Sequence, residues 1–555
     1  MSSFDGKEIQ KIKKAREKFD ESKPPPSGEH KTSSGIPVER VYSPAEIDKS
    51  DYLSDIGFPG EYPYTRGTFA NGYLSRVWNK RQVAGYGTAE EANQRFKYLI
   101  AQGQTAFYVP HVQRSGIGSE DEQMEGFLGL SQPHFDTLAD WEDVLKGIDL
   151  NKYSISLGTD SAVALAMYIT AAEKMGYNRS NLKGSMSNKV RMILYPENKG
   201  NPFIDIVEFS VKEMPFFNCF YVDGRNPRDG GLNAVYEAGW TLAAAIDGIR
   251  ACIERGINVD EFGPRTSFFL SVENDFFEEI AKLRAMRRMW ARIMREKFDA
   301  KDPRSWRFRF HIQDSSVSYT AQQPLNNLTR GAIHGLAAVL GGCQSMHINS
   351  FDEAIRTPSE FSATVSLRTQ QILEHETGIT NVVDPLGGSY YVEWLTDKLE
   401  EEAQKVIDKI EGMGGASKAA PWILEQQRMM AYKHQQEIQN KERMMVGVNV
   451  FQADNDEQRQ MFSSTIQKYN RTLRDKQIAR LNKVKKERDN DAVEQAKKML
   501  YEAYKAKVNI VPPMIEAVKT YISESEITEV RVAALGERYG TKHENVVEMT
   551  LFIYM

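Results

Sequence analysis

Cysteine is scarce in this chain, and its spacing excludes several classes of site. The three cysteines, Cys219, Cys252 and Cys343, lie far apart, and no pair is separated by only two residues. Such close pairs are typical of zinc sites and redox motifs. The sequence therefore indicates neither a disulfide framework nor a cysteine-bound zinc site, and it favours a reducing compartment.

Long apolar runs and an excess of one charge are also missing. No uninterrupted apolar stretch approaches the ~20 residues of a transmembrane helix, and the charged amino terminus around Lys7 and Arg16 has no signal-peptide core. The 71 basic and 76 acidic residues nearly cancel, leaving a net charge of −5. This balance indicates no affinity for nucleic acid or an anionic membrane. We therefore expect a cytoplasmic protein.

What is present is an alternation of short β-prone runs with amphipathic stretches of helical period. The predicted strands begin at Tyr153, Cys219, Ser267, Phe308 and Ser345. The predicted helices between and beyond them span 162–174, 232–254, 276–295, 325–340 and 361–375. Strand–helix alternation over some 350 residues predicts an α/β fold with a parallel sheet, and the length suits a (β/α)8 TIM barrel.

Composition divides the 555 residues into three parts. Residues 1–45 read as an N-terminal arm, a charged helix broken by Pro24, Pro25 and Pro26. Residues 46–400 form the predicted barrel. Residues 401–555 are helical and rich in charge, which is typical of a solvated face or a docking surface. We expect the arm to lie on its own barrel or on a partner.

Two predicted strands have an unusual alternation of polar and apolar residues. They are Tyr153–Ser156 and the run 311–318, whereas packed barrels are filled mainly by branched aliphatic side chains. One interpretation is an imperfectly placed strand end. The other is a barrel with a partly polar interior that accepts an extended ligand along its axis.

The segment 76–93 combines two arginines with a helix-start signal. Arg76 and Arg81 precede Thr88-Ala-Glu-Glu, which predicts a helix beginning at this threonine. Guanidinium groups near a helix N-terminus suit a phosphate-bearing ligand. Spacing alone leaves open that these are two solvated loop arginines.

The segment also resembles a family signature, and further motifs follow in the same order along the chain. Together they are similar to the large subunits of the methylmalonyl-CoA mutase family, from about residue 40 to the C-terminus. The matching stretches are 58–67 (FPGEYPYTRG), 76–93 (RVWNKRQVAGYGTAEEAN), 262–269 (FGPRTSFF), 276–285 (FFEEIAKLRA), 311–327, 341–354, 384–393 (DPLGGSYYVE) and 447–449.

The resemblance implies an adenosylcobalamin-dependent acyl-CoA mutase, an isomerase that moves a carbon group by radical chemistry. It implies a barrel that threads the CoA arm along its axis. It also implies CoA-binding roles for Phe69, Asn71, Arg76, Asn79, Arg81, Val83 and Arg284. For Arg284, an exposed helix salt bridge is the alternative.

The resemblance further implies residues that face the substrate and the cofactor. His311 and Gln313, two apart on one predicted strand, share a face and are expected to be catalytic. Asp229, Glu353 and Ala354 are expected to bind the adenosyl part of the cofactor, with Glu353 at the C-terminal mouth of the barrel.

Several positions depart from the family pattern. Val83 replaces a tyrosine that contacts the methylmalonyl carboxylate, and the shortened run 187–196 lacks the arginine that binds it, although Lys189 or Arg191 are nearby. Tyr108 and Pro110 fill space elsewhere in the pocket roof. Methylmalonyl-CoA is therefore not the expected substrate. A hydroxylated branched acyl-CoA or a bulky substituted succinyl-CoA is expected instead.

The largest departure is Gly224-Arg225-Asn226, where the family has Gly-Tyr-His. We expect Asn226 and Arg225 to occupy the catalytic position. An asparagine amide donates a hydrogen bond but cannot transfer a proton. Arg225 either holds a polar group of the substrate or forms a salt bridge to Asp223 or Asp229.

The family's cobalamin-binding domain is also missing, because no DxHxxG motif occurs. The resemblance then implies a separate small subunit that supplies the axial histidine, in an α2β2-like hetero-oligomer, with residues 401–555 as its docking surface. No metal ligand is expected in this chain. The alternative is a non-catalytic partner subunit of a heteromeric mutase.

Overall fold

The computed structural model describes residues 6–23, 30–110, 119–120, 133–158, 161–187, 202–463 and 471–536. Its nine strands in these ranges are β1 Asn79–Lys80, β2 Ala106–Val109, β3 Ser154–Leu157, β4 Gly184–Met186, β5 Phe217–Asn218, β6 Phe220–Asp223, β7 Thr266–Leu270, β8 Phe310–Gln313 and β9 Ser345–His347.

The helices surround these strands. They are α1 Gly6–Ser22, α2 Gly72–Ser75, α3 Ala89–Ala101, α4 Leu138–Leu145, α5 Ala162–Lys174, α6 Pro202–Glu213, α7 Arg225–Asp229, α8 Ala234–Glu254, α9 Val259–Phe262, α10 Phe276–Arg292, α11 Asn326–Leu340, α12 Glu360–His375, α13 Tyr390–Gly412, α14 Ala416–Gln439, α15 Glu457–Ser463, α16 Arg471–Glu487, α17 Asn490–Ala506, α18 Val511–Val518 and α19 Glu524–Leu535.

The strands form a closed parallel barrel. They pair in the orders β1-β9-β8-β7-β6 and β2-β3-β4-β5, and every pair is parallel. Only Cys219 separates β5 from β6, so these two form one barrel strand, and Val83 bridges to Tyr108 where β1 meets β2. Eight strand positions therefore close on themselves, which confirms the predicted TIM barrel.

Local sequence signals begin several of the helices. Thr88 and Glu91 form a capping box at the start of α3, in which each side chain accepts from the other residue's backbone N–H. Ser359 and Ser362 form the equivalent box on α12, and the Asn233 side chain caps α8. Apolar residues of the strands and of the inner helix faces form one main core between barrel and helices.

The helix α10 buries charge as well as apolar surface. Lys282 pairs with Glu237 (Nζ to Oε2, 2.6 Å) and Arg228 pairs with Glu279 (Nη2 to Oε1, 2.9 Å), all of them buried. Burial of these groups without partners would be strongly unfavourable, and the pairing offsets that cost. A charged sequence is therefore compatible with a central position against α8 and α13.

The two ends of the described chain pack on the barrel. Lys13 of α1 pairs with Asp48 (Nζ to Oδ2, 2.8 Å), and the backbone N–H of Ser33 donates to Asp275 (2.7 Å). At the other end, α18 packs on α5, and Arg480 of α16 bonds Asp140 (2.7 Å). The arm thus contacts its own barrel. The domain boundaries at 45 and 400 remain predictions.

None of the described helices is both long enough and apolar enough to span a membrane.

Candidate active site

An axial cavity of about 680 Å³ opens at the N-terminal ends of the barrel strands. Small residues at the strand beginnings line it, namely Ser154, Gly184, Ser185, Ser267 and Ser345. These side chains are too short to fill the centre of a barrel, which usually holds branched aliphatic residues. The polar residues at the beginning of β3 therefore reflect a partly polar barrel interior with room for a ligand. In the run 311–318, by contrast, β8 ends at Gln313, so residues 314–318 lie beyond the strand, as the alternative interpretation had it.

Arginines surround the outer end of this cavity. Arg76 is exposed there and donates to Asn79 (3.4 Å), while Arg265 and Arg309 line the cavity just before β7 and β8. Burial and the neighbouring Arg265 and Arg307 lower the pKa of Arg309 to about 10. Its Nε and Nη2 have no hydrogen-bond partner among the described residues. An anion would relieve both the repulsion and the unmet hydrogen bonds.

Four predicted CoA-binding residues therefore lie together at one end. Phe69, Asn71, Arg76 and Asn79 all line the outer part of the cavity, and the guanidinium of Arg307 lies 5.6 Å from the ring centre of Phe69. Their use in binding CoA remains a prediction.

Arg81 lies deeper, inside the barrel. Its backbone N–H donates to the Met346 carbonyl (3.0 Å), which continues the pairing of β1 with β9. The side chain is buried, and Nε has no hydrogen-bond partner in the described ranges. Burial lowers its pKa to about 10. The two arginines of the segment 76–93 thus occupy two depths of the cavity rather than one loop surface.

Arg284 does not lie where the motif predicted. It is fully buried in α10, where it pairs with Asp384 (Nη1 to Oδ2, 2.5 Å) and Glu393 (Nη2 to Oε1, 2.6 Å). It does not line the axial cavity. The expected CoA contact is corrected, and so is the alternative of an exposed salt bridge, because two acidic residues of the loop and helix after α12 enclose the guanidinium.

Sequence reasoning missed Arg265 and Arg309. Each immediately precedes or begins a strand of the barrel, within the stretches 262–269 and 308–310. Barrel active sites form at the C-terminal strand ends, whereas these two arginines precede their strands. An arginine directly before a strand was the available signal, because it marks the opposite, N-terminal mouth.

His311 and Gln313 both lie on β8 and belong to polar contacts inside the barrel. His311 Nδ1 is 2.9 Å from Ser345 Oγ, and its ring stacks on Phe269. Gln313 Nε2 donates to Asn349 Oδ1 (3.0 Å). Burial, Arg81 and His347 hold the pKa of His311 well below its usual value. The imidazole is therefore neutral at physiological pH and suits hydrogen bonding rather than acid catalysis.

The short helix α7 carries the predicted catalytic residues Arg225 and Asn226 at the C-terminal mouth. Arg225 Nη2 lies 2.7 Å from Asp229 Oδ2 and 3.2 Å from Ser316 Oγ, and Ser316 donates to the same carboxylate (2.9 Å). The backbone N–H of Asn226 donates to Asp223 (3.0 Å). Of the arrangements left open, the structure contains the salt bridge from Arg225 to Asp229.

The loop after β9 brings Glu353 to the same mouth. Burial raises the pKa of this carboxyl to about 7; the nearby Arg225 opposes the shift, and Asp314, Asp352 and Asp229 add to it. Ala354 beside it is exposed. Val83 lies below, where its N–H donates to His347 Nδ1 (3.1 Å). The structure thus assembles Arg225, Asp229 and Glu353 at one end of the barrel.

Two residues of the sequence argument, Lys189 and Arg191, lie outside the described residues. Within the described ranges, no group of three or more histidine, cysteine, aspartate or glutamate side chains could hold a metal ion.

The fold and the site define a class of protein, a TIM barrel with an arginine-lined axial cavity at its N-terminal end and a polar, acidic mouth at its C-terminal end. Comparison with known proteins identifies the family. The profile of the methylmalonyl-CoA mutase family matches residues 31–537, and the chain belongs to this family. Its members are adenosylcobalamin-dependent acyl-CoA mutases, so the chain is an isomerase of this class.

Individual relatives agree with this assignment. The chain is 38% identical over 515 residues to the 2-hydroxyisobutanoyl-CoA mutase large subunit of Aquincola tertiaricarbonis, covering 90% of each protein. It is 36% identical over 521 residues to methylmalonyl-CoA mutase of Rhizobium meliloti (strain 1021), covering 91% of the chain and 72% of the relative. The human mitochondrial methylmalonyl-CoA mutase is 34% identical over 521 residues, covering 91% and 68%.

Proposed function

We propose that the chain is the large subunit of an adenosylcobalamin-dependent mutase that rearranges the carbon skeleton of a branched acyl-CoA other than methylmalonyl-CoA. A separate small subunit would supply the cobalamin and its axial histidine. The observation that carries this proposal is the axial cavity, because it has unneutralised arginines at two depths and leads towards the mouth that holds Glu353.

The outer arginines fit the phosphates of CoA. Arg76, Arg265 and Arg309 meet around one opening, and a planar guanidinium binds phosphate oxygens through two parallel hydrogen bonds. Arg81 lies further along the axis, where it can bind a carbonyl oxygen of the pantetheine chain of CoA. His311 and Ser345 line the cavity beside Arg81 and can form hydrogen bonds with the same pantetheine chain.

The C-terminal mouth fits the adenosyl part of the cofactor. No described residue hydrogen-bonds the carboxyl of Glu353, so this group can bind ribose hydroxyls, and Ala354 leaves open space beside it. When bound, adenosylcobalamin supplies a 5′-deoxyadenosyl radical that removes a hydrogen atom from the substrate. Asn226 would hold the thioester oxygen by hydrogen bonding, and Gln313 would orient the acyl group without transferring a proton.

The charge balance of the mouth favours an acyl group without a free carboxylate. Asp229 already neutralises Arg225, so this arginine offers no unpaired cation to a dicarboxylic substrate. Val83 leaves room for a branched group. A hydroxylated branched acyl-CoA therefore fits better than a substituted succinyl-CoA. The likeness to a 2-hydroxyisobutanoyl-CoA mutase large subunit supports the same choice.

One observation favours a second candidate, a non-catalytic partner subunit. At the predicted catalytic position the polar groups bind one another rather than being free for a substrate: Arg225 pairs with Asp229, and Asn226 donates a hydrogen bond to Asp223. The unneutralised Arg81 and Arg309 oppose it, since a purely structural chain gains nothing from buried cations without partners.

The test combines binding with turnover. Titration calorimetry of the purified chain should detect binding of CoA, and absorbance spectra should detect no stoichiometric cobalamin binding without a second polypeptide. With a small DxHxxG protein from the same genome, turnover of 2-hydroxyisobutyryl-CoA should exceed that of methylmalonyl-CoA. CoA binding without turnover of any acyl-CoA would favour the partner subunit. Tight cobalamin binding by the chain alone would contradict the two-subunit arrangement.

A further inference from the structure

An exposed phenylalanine lies at the opening of the axial cavity. Phe216 immediately precedes β5, lines the cavity and is 48% exposed. The resemblance to the family implied a role for Phe69 at this opening but none for Phe216. A single exposed phenylalanine needs no explanation by itself. Its surroundings therefore decide whether it has a function.

Cationic side chains lie next to this ring. The guanidinium of Arg265 lies over the Phe216 ring, 5.4 Å from the ring centre. On the neighbouring strand, Gly184 of β4 pairs with Phe217 of β5, so Lys183 and Phe216 precede their strands side by side. Lys183 is exposed and also lines the cavity. Phe216 thus combines an aromatic surface with positive charge at one edge of the opening.

Arg265 belongs to a group of arginines that lacks a counter-charge. Burial and the charges of Arg265 and Arg307 lower the pKa of Arg309 to about 10, so these three side chains are close to one another. Arg309 Nε and Nη2 and Ser267 Oγ are buried without a hydrogen-bond partner among the described residues, and both residues line the cavity. Unmet hydrogen-bond donors of this kind indicate a bound anion.

An aromatic ring beside phosphate-binding groups is suited to a nucleotide. Bases stack on aromatic side chains while cations bind the phosphates. Arg265 covers one face of the Phe216 ring, and about half of the side chain is exposed, so the other face is available to a planar group. A flat purine covers that face more completely than a flexible aliphatic chain does.

We propose that Phe216 is a specificity-determining residue that stacks on the purine of a nucleotide at the cavity opening, while Arg265 and Arg309 bind its phosphates. The ligand class is a purine nucleotide with more than one phosphate group, which the nucleotide end of a CoA ester provides. This inference rests on the proposed function, in which the opening takes the phosphates of CoA. It adds recognition of the base, which the arginines alone do not distinguish.

The experiment compares a ligand that has the base with one that lacks it. The ligands are adenosine 3′,5′-bisphosphate and inorganic pyrophosphate, and calorimetric titration measures both affinities. The proteins are the wild type, Phe216→Leu, Phe216→Trp and the control Phe58→Leu. Phe58 is 52% exposed, much like Phe216, but it does not line the cavity.

Removal of the ring should weaken binding of the base selectively. Loss of an aromatic platform weakens the binding of a base about five- to 150-fold, so we expect Phe216→Leu to bind the bisphosphate at least about fivefold more weakly. Its affinity for pyrophosphate should stay within about twofold of the wild type, because the arginines are unchanged. Phe216→Trp should bind the bisphosphate at least as tightly as the wild type, and Phe58→Leu should match the wild type with both ligands.

Two results of these titrations would overturn the stack and leave the proposed function in place. One is unchanged bisphosphate affinity in Phe216→Leu. The other is an equal loss of affinity for both ligands, since the effect would then come from the arginines and not from the base. Failure of the wild type to bind the bisphosphate, pyrophosphate or CoA would overturn the proposed function as well.

Fluorescence provides a direct reading of the stack. The indole introduced by Phe216→Trp should be quenched by saturating bisphosphate, because a stacked base contacts the ring, and pyrophosphate should leave it unchanged. The wild type, titrated in the same way, corrects for the other tryptophans. Equal emission with and without bound bisphosphate would overturn the proposal.

Discussion

The guanidinium of Arg225 lies 2.7 Å from the carboxylate of Asp229, one helical turn further along α7, and Ser316 hydrogen-bonds both groups. Both side chains are largely buried at the C-terminal mouth. The position predicted to be catalytic is thus occupied by a closed polar triangle. Its positive charge is neutralised within the chain.

Replacement of Arg225 by methionine should therefore affect stability more than substrate choice. Asp229 would remain buried without its partner, which costs about 3 kcal/mol of the free energy of unfolding. Urea denaturation measures this loss, and Arg76→Met, at an exposed arginine, is the control. Selective loss of turnover with dicarboxylic acyl-CoAs would instead show that Arg225 binds a substrate carboxylate.

Arg81 and Arg76 should differ in their effect on CoA-ester binding. Arg81→Met removes a buried cation and should weaken binding by about 1.5–3 kcal/mol, the range of charge-assisted hydrogen bonds. Arg76→Met should cost about 1 kcal/mol or less, and its effect should shrink as salt is added, because this arginine is exposed. Calorimetric titrations at two salt concentrations distinguish the two. If both variants lost the same affinity and both losses shrank with added salt, Arg81 would bind the ligand as a solvent-exposed arginine does.

Arg284→Met should destabilise the fold and leave ligand affinity unchanged. Asp384 and Glu393 would lose their shared buried partner, at a cost of about 3–5 kcal/mol. Arg304→Met is the matched control, because Arg304 pairs with Asp302 at the surface. Thermal and urea unfolding give the stability, and CoA titration gives the affinity. A large loss of affinity in a folded Arg284→Met protein would restore the motif-based role in CoA binding.

The carboxyl of Glu353 should make stability depend on pH. Its pKa is about 7 in the folded protein and lies near 4.5 in the unfolded chain, so the unfolded chain releases the proton first. The contribution of Glu353 to stability therefore falls as pH rises from 4.5 to 7 and is constant above.

Glu353→Gln removes this titration and provides the comparison. The stability of the wild type relative to Glu353→Gln should decrease between pH 5 and pH 7, measured by urea unfolding at each pH. A difference that is flat or increases over this range would show that the carboxyl is ionised in the fold. Other buried carboxyls are unchanged in both proteins and cancel.

The sequence by itself determined the positions of the strands and helices. The period of the apolar residues and the capping signals at Thr88 and Asn233 depend on neighbours within one turn, so strands and helices were predicted close to their observed bounds. The order of strands and helices restricts the topology to a parallel barrel. Ordered motifs predicted the family, and polar residues on two predicted strands indicated a partly polar interior as one of two interpretations.

Contacts between distant segments were decided only by the tertiary structure. Arg284 has its partners 100 and 109 residues away, so no local pattern could distinguish a buried ion pair from a CoA contact. Arg81 and Arg76 are five positions apart, yet a strand carries one into the barrel and leaves the other at its rim.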